Sequence, residues 1–222
     1  MVISNKKIKK QQFKQKTKMN KLIIAAVAAL SLVAVAFKPA TKNATSYKVN
    51  AEQSTFNWHA KKVTGEHMGL VKISAGSIET DGKNLTGGNF DIDMTTITCT
   101  DLTGEWNGKL IGHLNSPDFF AVDNFKTANL KIKSATEIKG AKTAADNYTV
   151  VADLTIKGIT KEITFPAFVI IKKSGEVVAN ASFDIDRTAF DIKYGSKSFF
   201  EGIGDKAIDD KFNIKVRIVA TK

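Results

Sequence analysis

Three histidines, one cysteine and 22 acidic side chains are the groups in this 222-residue chain that could do chemistry at neutral pH. His59, His67 and His113 could bind a metal or move protons, and Cys99 could serve as nucleophile or ligand. Their spacing supports neither role. No two histidines stand at i, i+4, none has a cysteine partner in sequence, and a single cysteine forms no intrachain disulfide. There is no Gly-x-Ser-x-Gly elbow, P-loop or Gly-x-Gly-x-x-Gly, and Gly202-Ile203-Gly204 is too short a match to count. Asp184 and Asp186 point the same way along one strand, whereas an acid–base pair needs carboxylates facing each other in a cleft. The residues therefore predict no catalytic site, no metal site and no cofactor.

Binding is the chemistry that remains. The segment His113-Leu114-Asn115-Ser116-Pro117-Asp118-Phe119-Phe120 sets two adjacent phenylalanines beside a histidine and an aspartate, where strand alternation cannot bury both rings. A lid or mouth over a cavity would accommodate that mixture. So would a plug, with Ser116 and Asp118 capping a turn, and Phe199-Phe200 invites the same two readings. Arg187 is one of two arginines against 31 lysines, which suggests a need for a planar group with five donors. Its expected partners are a carboxylate or loop carbonyls at a rim; a ligand head group is the sharper alternative.

The elements that must hold these residues are strands. Phe212, Ile214, Val216, Ile218 and Ala220 alternate with Asn213, Lys215, Arg217 and Val219, and the same period of two marks Phe90-Ile92-Met94, Phe183-Ile185 and Leu130-Ile132. Eight strands are expected, near 46–60, 66–80, 85–99, 126–139, 146–157, 161–173, 176–187 and 209–221. Asp81-Gly82, Lys139-Gly140, Lys157-Gly158 and Ser174-Gly175 supply turns between them. Two stretches, 101–124 and 188–208, break the rhythm and should form short helical or irregular caps, with Asp101 as a helix cap and Gly104, Gly108 and Gly112 opposing a long helix. Pattern alone does not choose between sandwich and barrel. Length favours the barrel: about 13 residues rise roughly 43 Å, a wall about 33 Å tall at a 40° tilt. The 14 phenylalanines suit either a filled core or the lining of a narrow apolar pore, which Ala220→Trp would block if that side chain points inward.

Charge places the chain. The formal +11 suggests nucleic acid, but eight lysines and no acid fall within residues 1–36, which leaves +3 from Phe37 onward. A basic stretch followed by uncharged Leu22 to Phe37, with Ala34-Val35-Ala36 at the end, reads as a signal peptide over 1–36, and Met19-Asn20-Lys21 makes an equally good start for it. The expectation is export to the periplasm, a short linker at 37–45, and one domain at 46–222 that does not bind nucleic acid.

Several segments carry a resemblance: Ser54-Thr55-Phe56-Asn57-Trp58 with Lys61 and Gly65-Glu66-His67; Gly76-Ser77-Ile78; Gly87-Gly88-Asn89-Phe90; Ile92-Asp93-Met94. The His113 to Phe120 segment, Leu154 to Lys161, and Ile185-Asp186-Arg187-Thr188 with Tyr194-Gly195-Ser196 complete it. Taken in order, over about residues 46–221, they resemble the YceI-like family of exported lipid- or polyisoprenoid-binding proteins. Ala60, where a glycine is common, and Lys126, near where a proline often follows the double phenylalanine, depart from the pattern. The resemblance implies an all-β, extended eight-stranded antiparallel lipocalin-like barrel that carries an isoprenoid quinone, a polyprenyl phosphate or a fatty amide-like lipid without catalysis. It implies ligand-binding roles for Trp58, His67, His113, Phe119, Phe120, Arg187 and Tyr194. Transient membrane contact is compatible with it, as is a homodimer, and a structural or stress-related interaction module is the alternative function.

Overall fold

The computed structural model describes residues 44–222, so the leader expected at 1–36 and nearly all of the linker at 37–45 lie outside the described residues. The alternating segments form strands β1 (Thr45–Val49), β2 (Thr55–Lys62), β3 (Gly65–Thr80), β4 (Leu85–Cys99), β5 (Thr127–Glu137), β6 (Tyr148–Ile156), β7 (Ile159–Ile171), β8 (Glu176–Asp186) and β9 (Ile208–Thr221). One helix, α1 (Gly104–Asn115), follows β4. Every pairing is antiparallel. From β3 to β9 each strand bonds to the next in the order β3-β4-β5-β6-β7-β8-β9, and β1 and β2 both lie between β9 and β3, closing the ring.

The strand expected at 46–60 is therefore two strands sharing one of eight positions in the barrel. Side chains cause the break. The Asn50 side-chain oxygen accepts from the backbone N–H groups of Glu52 and Gln53, while Ser54 Oγ donates to the Asn50 carbonyl and accepts from Val219 N–H. These bonds replace the ladder across the five residues 50–54 and let it resume in β2.

A second interruption lies in β4. Leu70 pairs with Thr98 and Lys72 with Asp93, so Val71 alone stands opposite the four residues from Met94 to Ile97. Asp93 accepts from Thr95 N–H and Oγ1–H, and Thr96 Oγ1 accepts from Lys72 N–H while donating to the Asp93 carbonyl. The extra residues leave both Met94 and Ile97 buried on the inner side of the wall, which strict alternation would not allow.

The first cap is more regular than expected. α1 runs three turns despite its three glycines, and its N-cap is Thr103, not Asp101. Asp101 cannot cap because its carboxylate faces the other way, toward Met68 N–H and His67. The helix buries no residue fully; Ile111 and Leu114 rest against the core and Trp106 is 69% exposed. Between β6 and β7 the turn is Lys157-Gly158, with φ of 50° and 73°, the two positive values that a two-residue hairpin of matching twist requires. The second irregular stretch holds two short 3₁₀ turns, Arg187–Phe190 and Gly204–Lys206, at the same end of the barrel as α1.

Candidate functional site

The inward residues of the strands leave space along the barrel instead of meeting at its axis. Toward the end covered by α1 lies a cavity of about 970 Å³, bounded by Trp58, Val71, Met94, Leu154 and Ile214 on the strands and by Leu114, Phe119, Phe120 and Ile192 from the caps. Toward the other end lies a cavity of about 650 Å³, walled by Ile73, Ile78, Leu85, Phe90, Val150, Phe165 and Ile218. Both volumes include parts open to solvent. Phe56, Ile92, Leu130 and Phe183 line both, which makes them the waist between two compartments. Phe183 stacks on Phe165 with ring centroids 4.2 Å apart, so its ring is held in place at the waist. Almost all of the lining is apolar.

The double phenylalanine joins the cavity because its backbone has left the strand pattern. After α1, Phe119 N–H donates to the Ser116 carbonyl, Phe120 N–H to that of Leu114, and Ala121 N–H to that of Ser116, with Ala121 at φ 47°. This turn places consecutive rings against the same cavity. Phe119 is buried and Phe120 half-buried. Behind Phe119 sit His113 and Tyr194: the His113 ring meets Phe119 edge-on at 4.8 Å and Tyr194 at 4.5 Å. His113 Nε2 lies 3.2 Å from Asp118 Oδ2. His113 and Tyr194 thus support the phenylalanine from outside and do not line the cavity themselves.

Arg187 does line it, but its donors are aimed at the protein. It is 4% exposed, and its Nε donates to Asp209 O at 3.0 Å, its Nη1 to Ile192 O and Tyr194 O at 2.8 Å, and its Nη2 to Ile208 O at 3.0 Å. Asp210 Oδ1 lies 3.6 Å from Nη2. A planar fork is what binds four carbonyls from two segments at once, which is why lysine would not serve here. Burial lowers the Arg187 pKa, with Asp210, Asp186 and Asp209 opposing that shift. Burial likewise works to raise the pKa of Asp210, but hydrogen bonds from Ser196 and Ser198 and the Arg187 charge outweigh it, so this carboxyl is lowered.

Trp58 reaches across its partner Gly69 so that its indole Nε1–H donates to Thr98 O at 3.0 Å, tying the cavity wall to the irregular part of β4. A Cβ on Gly69 would lie 1.7 Å from that same oxygen, so the crossing needs glycine. His67 stands apart from both cavities. Its Nδ1 lies 2.8 Å from Asp101 Oδ2, and Asp101 Oδ1 accepts from Met68 N–H at 2.8 Å and from the Cys99 thiol at 3.2 Å. Partial burial pulls the Asp101 pKa upward, yet the Met68, His67 and Cys99 hydrogen bonds prevail and hold it at about 2. Sequence spacing showed His67 no cysteine partner; the β3–β4 pairing supplies Cys99, 32 positions away.

Of the seven residues predicted from sequence, Trp58, Phe119, Phe120 and Arg187 meet at one cavity, His113 and Tyr194 back it, and His67 belongs to a separate cluster. Sequence reasoning did not assign the waist, although Ile92, Leu130 and Phe183 all lie on alternating runs that it had identified. Ala220, the inward residue chosen from alternation, is fully buried but lines neither cavity.

A family model described as a YceI-like domain matches residues 47–220. UPF0312 proteins of Staphylococcus aureus are 32% identical over 124 residues, 54% of this chain and 63% of theirs, so the match spans less than two thirds of those relatives. Among solved structures, the chain resembles BcnA of Burkholderia cenocepacia, with TM-score 0.60 and 21% identity over 78% of this chain and 99% of that one. It also resembles a polyisoprenoid-binding domain from Saccharophagus degradans, with TM-score 0.59 and 15% identity over 79% and 97%. At these identities the structural likeness establishes the fold.

Proposed function

The chain belongs to the YceI-like family, and from that premise we propose that it is an exported, non-catalytic carrier that holds a long-chain isoprenoid or similar amphiphilic lipid inside its barrel. The observation that carries this reading is the pair of apolar cavities in series within one barrel, separated only by the side chains of Phe56, Ile92, Leu130 and Phe183, an arrangement matched to a flexible apolar chain and poorly matched to a compact polar substrate. The polyisoprenoid-binding description of the Saccharophagus domain, which has the same fold, supports the ligand class. An isoprenoid quinone, a polyprenyl phosphate and a fatty amide all present one polar head and one long tail, and the compartments would take the tail.

The leader read from residues 1–36 supports a periplasmic location, where a lipid crossing water needs a shield. Arg187 contributes by shaping the rim: with its donors committed to loop carbonyls, it fixes the 187–210 segment over the cavity instead of gripping a head group. The test is extraction of protein purified under mild conditions, followed by mass spectrometry. A hydrophobe of one class recovered in near-stoichiometric amount is the expected result; protein that emerges empty from several expression hosts would refute the proposal.

A further inference from the structure

The cluster at His67, Cys99 and Asp101 offers one nitrogen, one sulfur and one oxygen donor, all within 4.8 Å of one another. Three strand features bring them together. His67 lies near the start of β3, Cys99 closes β4, and the chain turns at Asp101 so that its carboxylate faces back across the β3–β4 pair. That carboxylate is oriented from behind: Met68 N–H holds Oδ1, which leaves Oδ2 directed at His67. Cys99 is buried, whereas the side chains of His67 and Asp101 are each 25% exposed, so a path from solvent leads to the donors.

We propose that these three residues form a site for a divalent transition metal of the zinc class. The donor set is the argument. Thiolate and imidazole favour a borderline-soft ion over magnesium or calcium, and three protein ligands leave a fourth tetrahedral position for water. Ligands of one tetrahedral zinc stand about 3.3–3.7 Å apart, given bonds of about 2.0–2.3 Å, so the His67 Nδ1–Asp101 Oδ2 pair at 2.8 Å opens slightly and the widest donor pair, within 4.8 Å, closes by about an ångström. The thiol proton is released to solvent as Cys99 becomes the thiolate ligand. Nδ1, which faces the Asp101 carboxylate, serves as the ligand in the tautomer that carries the imidazole proton on Nε2. His67, Cys99 and Asp101 line neither apolar cavity, so the site is separate from whatever the cavities carry.

Cobalt(II) alone, added to the full-length chain kept reduced and stripped with a chelator, tests this directly. The expected result is saturable uptake of one equivalent, with thiolate-to-cobalt charge-transfer absorption and the d–d bands of a tetrahedral ion, both abolished by one equivalent of zinc(II). Cys99→Ser should lose the charge-transfer band, and His67→Gln should weaken uptake by about tenfold or more, a loss at least as large as that for a residue that only orients a ligand. Absence of the charge-transfer band in the reduced wild-type protein overturns the proposal without recourse to any variant. Cobalt uptake that is unchanged in both variants, with circular dichroism showing them folded, overturns it as well.

Discussion

Ala181 and Ala128 face different compartments, and enlarging each gives a distinct result if chain-like ligands thread the barrel. Ala181 on β8 lies between Ala167 and Val216 and lines the compartment away from α1; Ala128 on β5 pairs with Ile92 and lines the compartment beneath the caps. An indole at Ala181 would enter a cavity of about 650 Å³ and should change stability by less than about 1 kcal/mol, because the added apolar surface finds room. In a solid core the same substitution would cost about 1–3 kcal/mol or more through overpacking. If the ring displaces about five methylenes of a tail, at about 0.8 kcal/mol each, affinity for a long-chain probe falls by about 4 kcal/mol, or about a thousandfold. A short-chain probe, confined to the compartment under the caps, should bind Ala181→Trp as it binds the wild type, whereas Ala128→Trp should lose both. Urea denaturation and displacement of fluorescent probes of two chain lengths measure these quantities. Undiminished long-chain binding by Ala181→Trp, or a stability loss above about 3 kcal/mol, would refute the reasoning that the inward side chains leave room for a tail in this compartment.

Arg187→Met should destabilise the protein by about 3–5 kcal/mol in urea, since it strands four loop carbonyls and the Asp210 carboxylate, and Arg187→Lys should recover only part of that loss. Gly69→Ala sets a Cβ against Thr98 O, and the main chain must move to relieve it; a loss above about 3 kcal/mol is expected, with quenching of Trp58 fluorescence altered in parallel. For Asp101 the folded pKa of about 2 lies below the unpaired value of 3.8, so its contribution is present above pH 3.8 and disappears as pH falls toward 2. After allowance for solvent screening at this partly exposed position, Asp101→Asn should cost about 1 kcal/mol at neutral pH, less as pH falls below 3.8, and nothing once the pH is well under 2, as read from urea midpoints across that range.

The legible part of this fold is the part that repeats. Period-two burial marked β9 from Phe212 to Ile218, where Lys215 and Arg217 stay exposed between apolar inward residues; the alternation ends at Val219, an outward residue that is apolar and buried. What escaped notice is where side chains replace the backbone ladder. Asn50 and Ser54 split one strand into two, and Asp93 and Thr96 fold four residues out of β4; both depend on bonds to strands far away in sequence, such as Ser54 to Val219 and Lys72 to Thr96. The site divides the same way. Phe119 and Phe120 stood out because two adjacent rings contradict alternation, whereas Phe56, Ile92 and Leu130 obey it and so looked like any core residue. Whether such residues meet or leave a gap depends on barrel circumference, and closure of eight positions by β3–β4 pairing is a property of the whole chain.

That gap also decides what kind of specificity such a carrier can have. Referred to water, a 40-carbon tail at about 0.8 kcal/mol per methylene would bind with tens of kcal/mol, beyond the ceiling of about 18–21 kcal/mol for any non-covalent complex. For a lipid carrier of the kind proposed, the donor would be a membrane, already apolar, so moving the tail into an apolar barrel would be close to neutral and the apolar lining could not itself choose the cargo. Discrimination then falls to steric terms: the length of two compartments in series, and passage of the waist at Phe56, Ile92, Leu130 and Phe183, where the Phe165 stack restricts Phe183. Branched prenyl chains and straight acyl chains differ in width every few carbons, so the waist should separate them even at equal hydrophobicity. Phe183→Ala should therefore admit wider tails while changing affinity for a straight chain little. Equal exclusion of branched chains by the variant and the wild type, measured by exchange from vesicles of defined composition, would place the selection elsewhere.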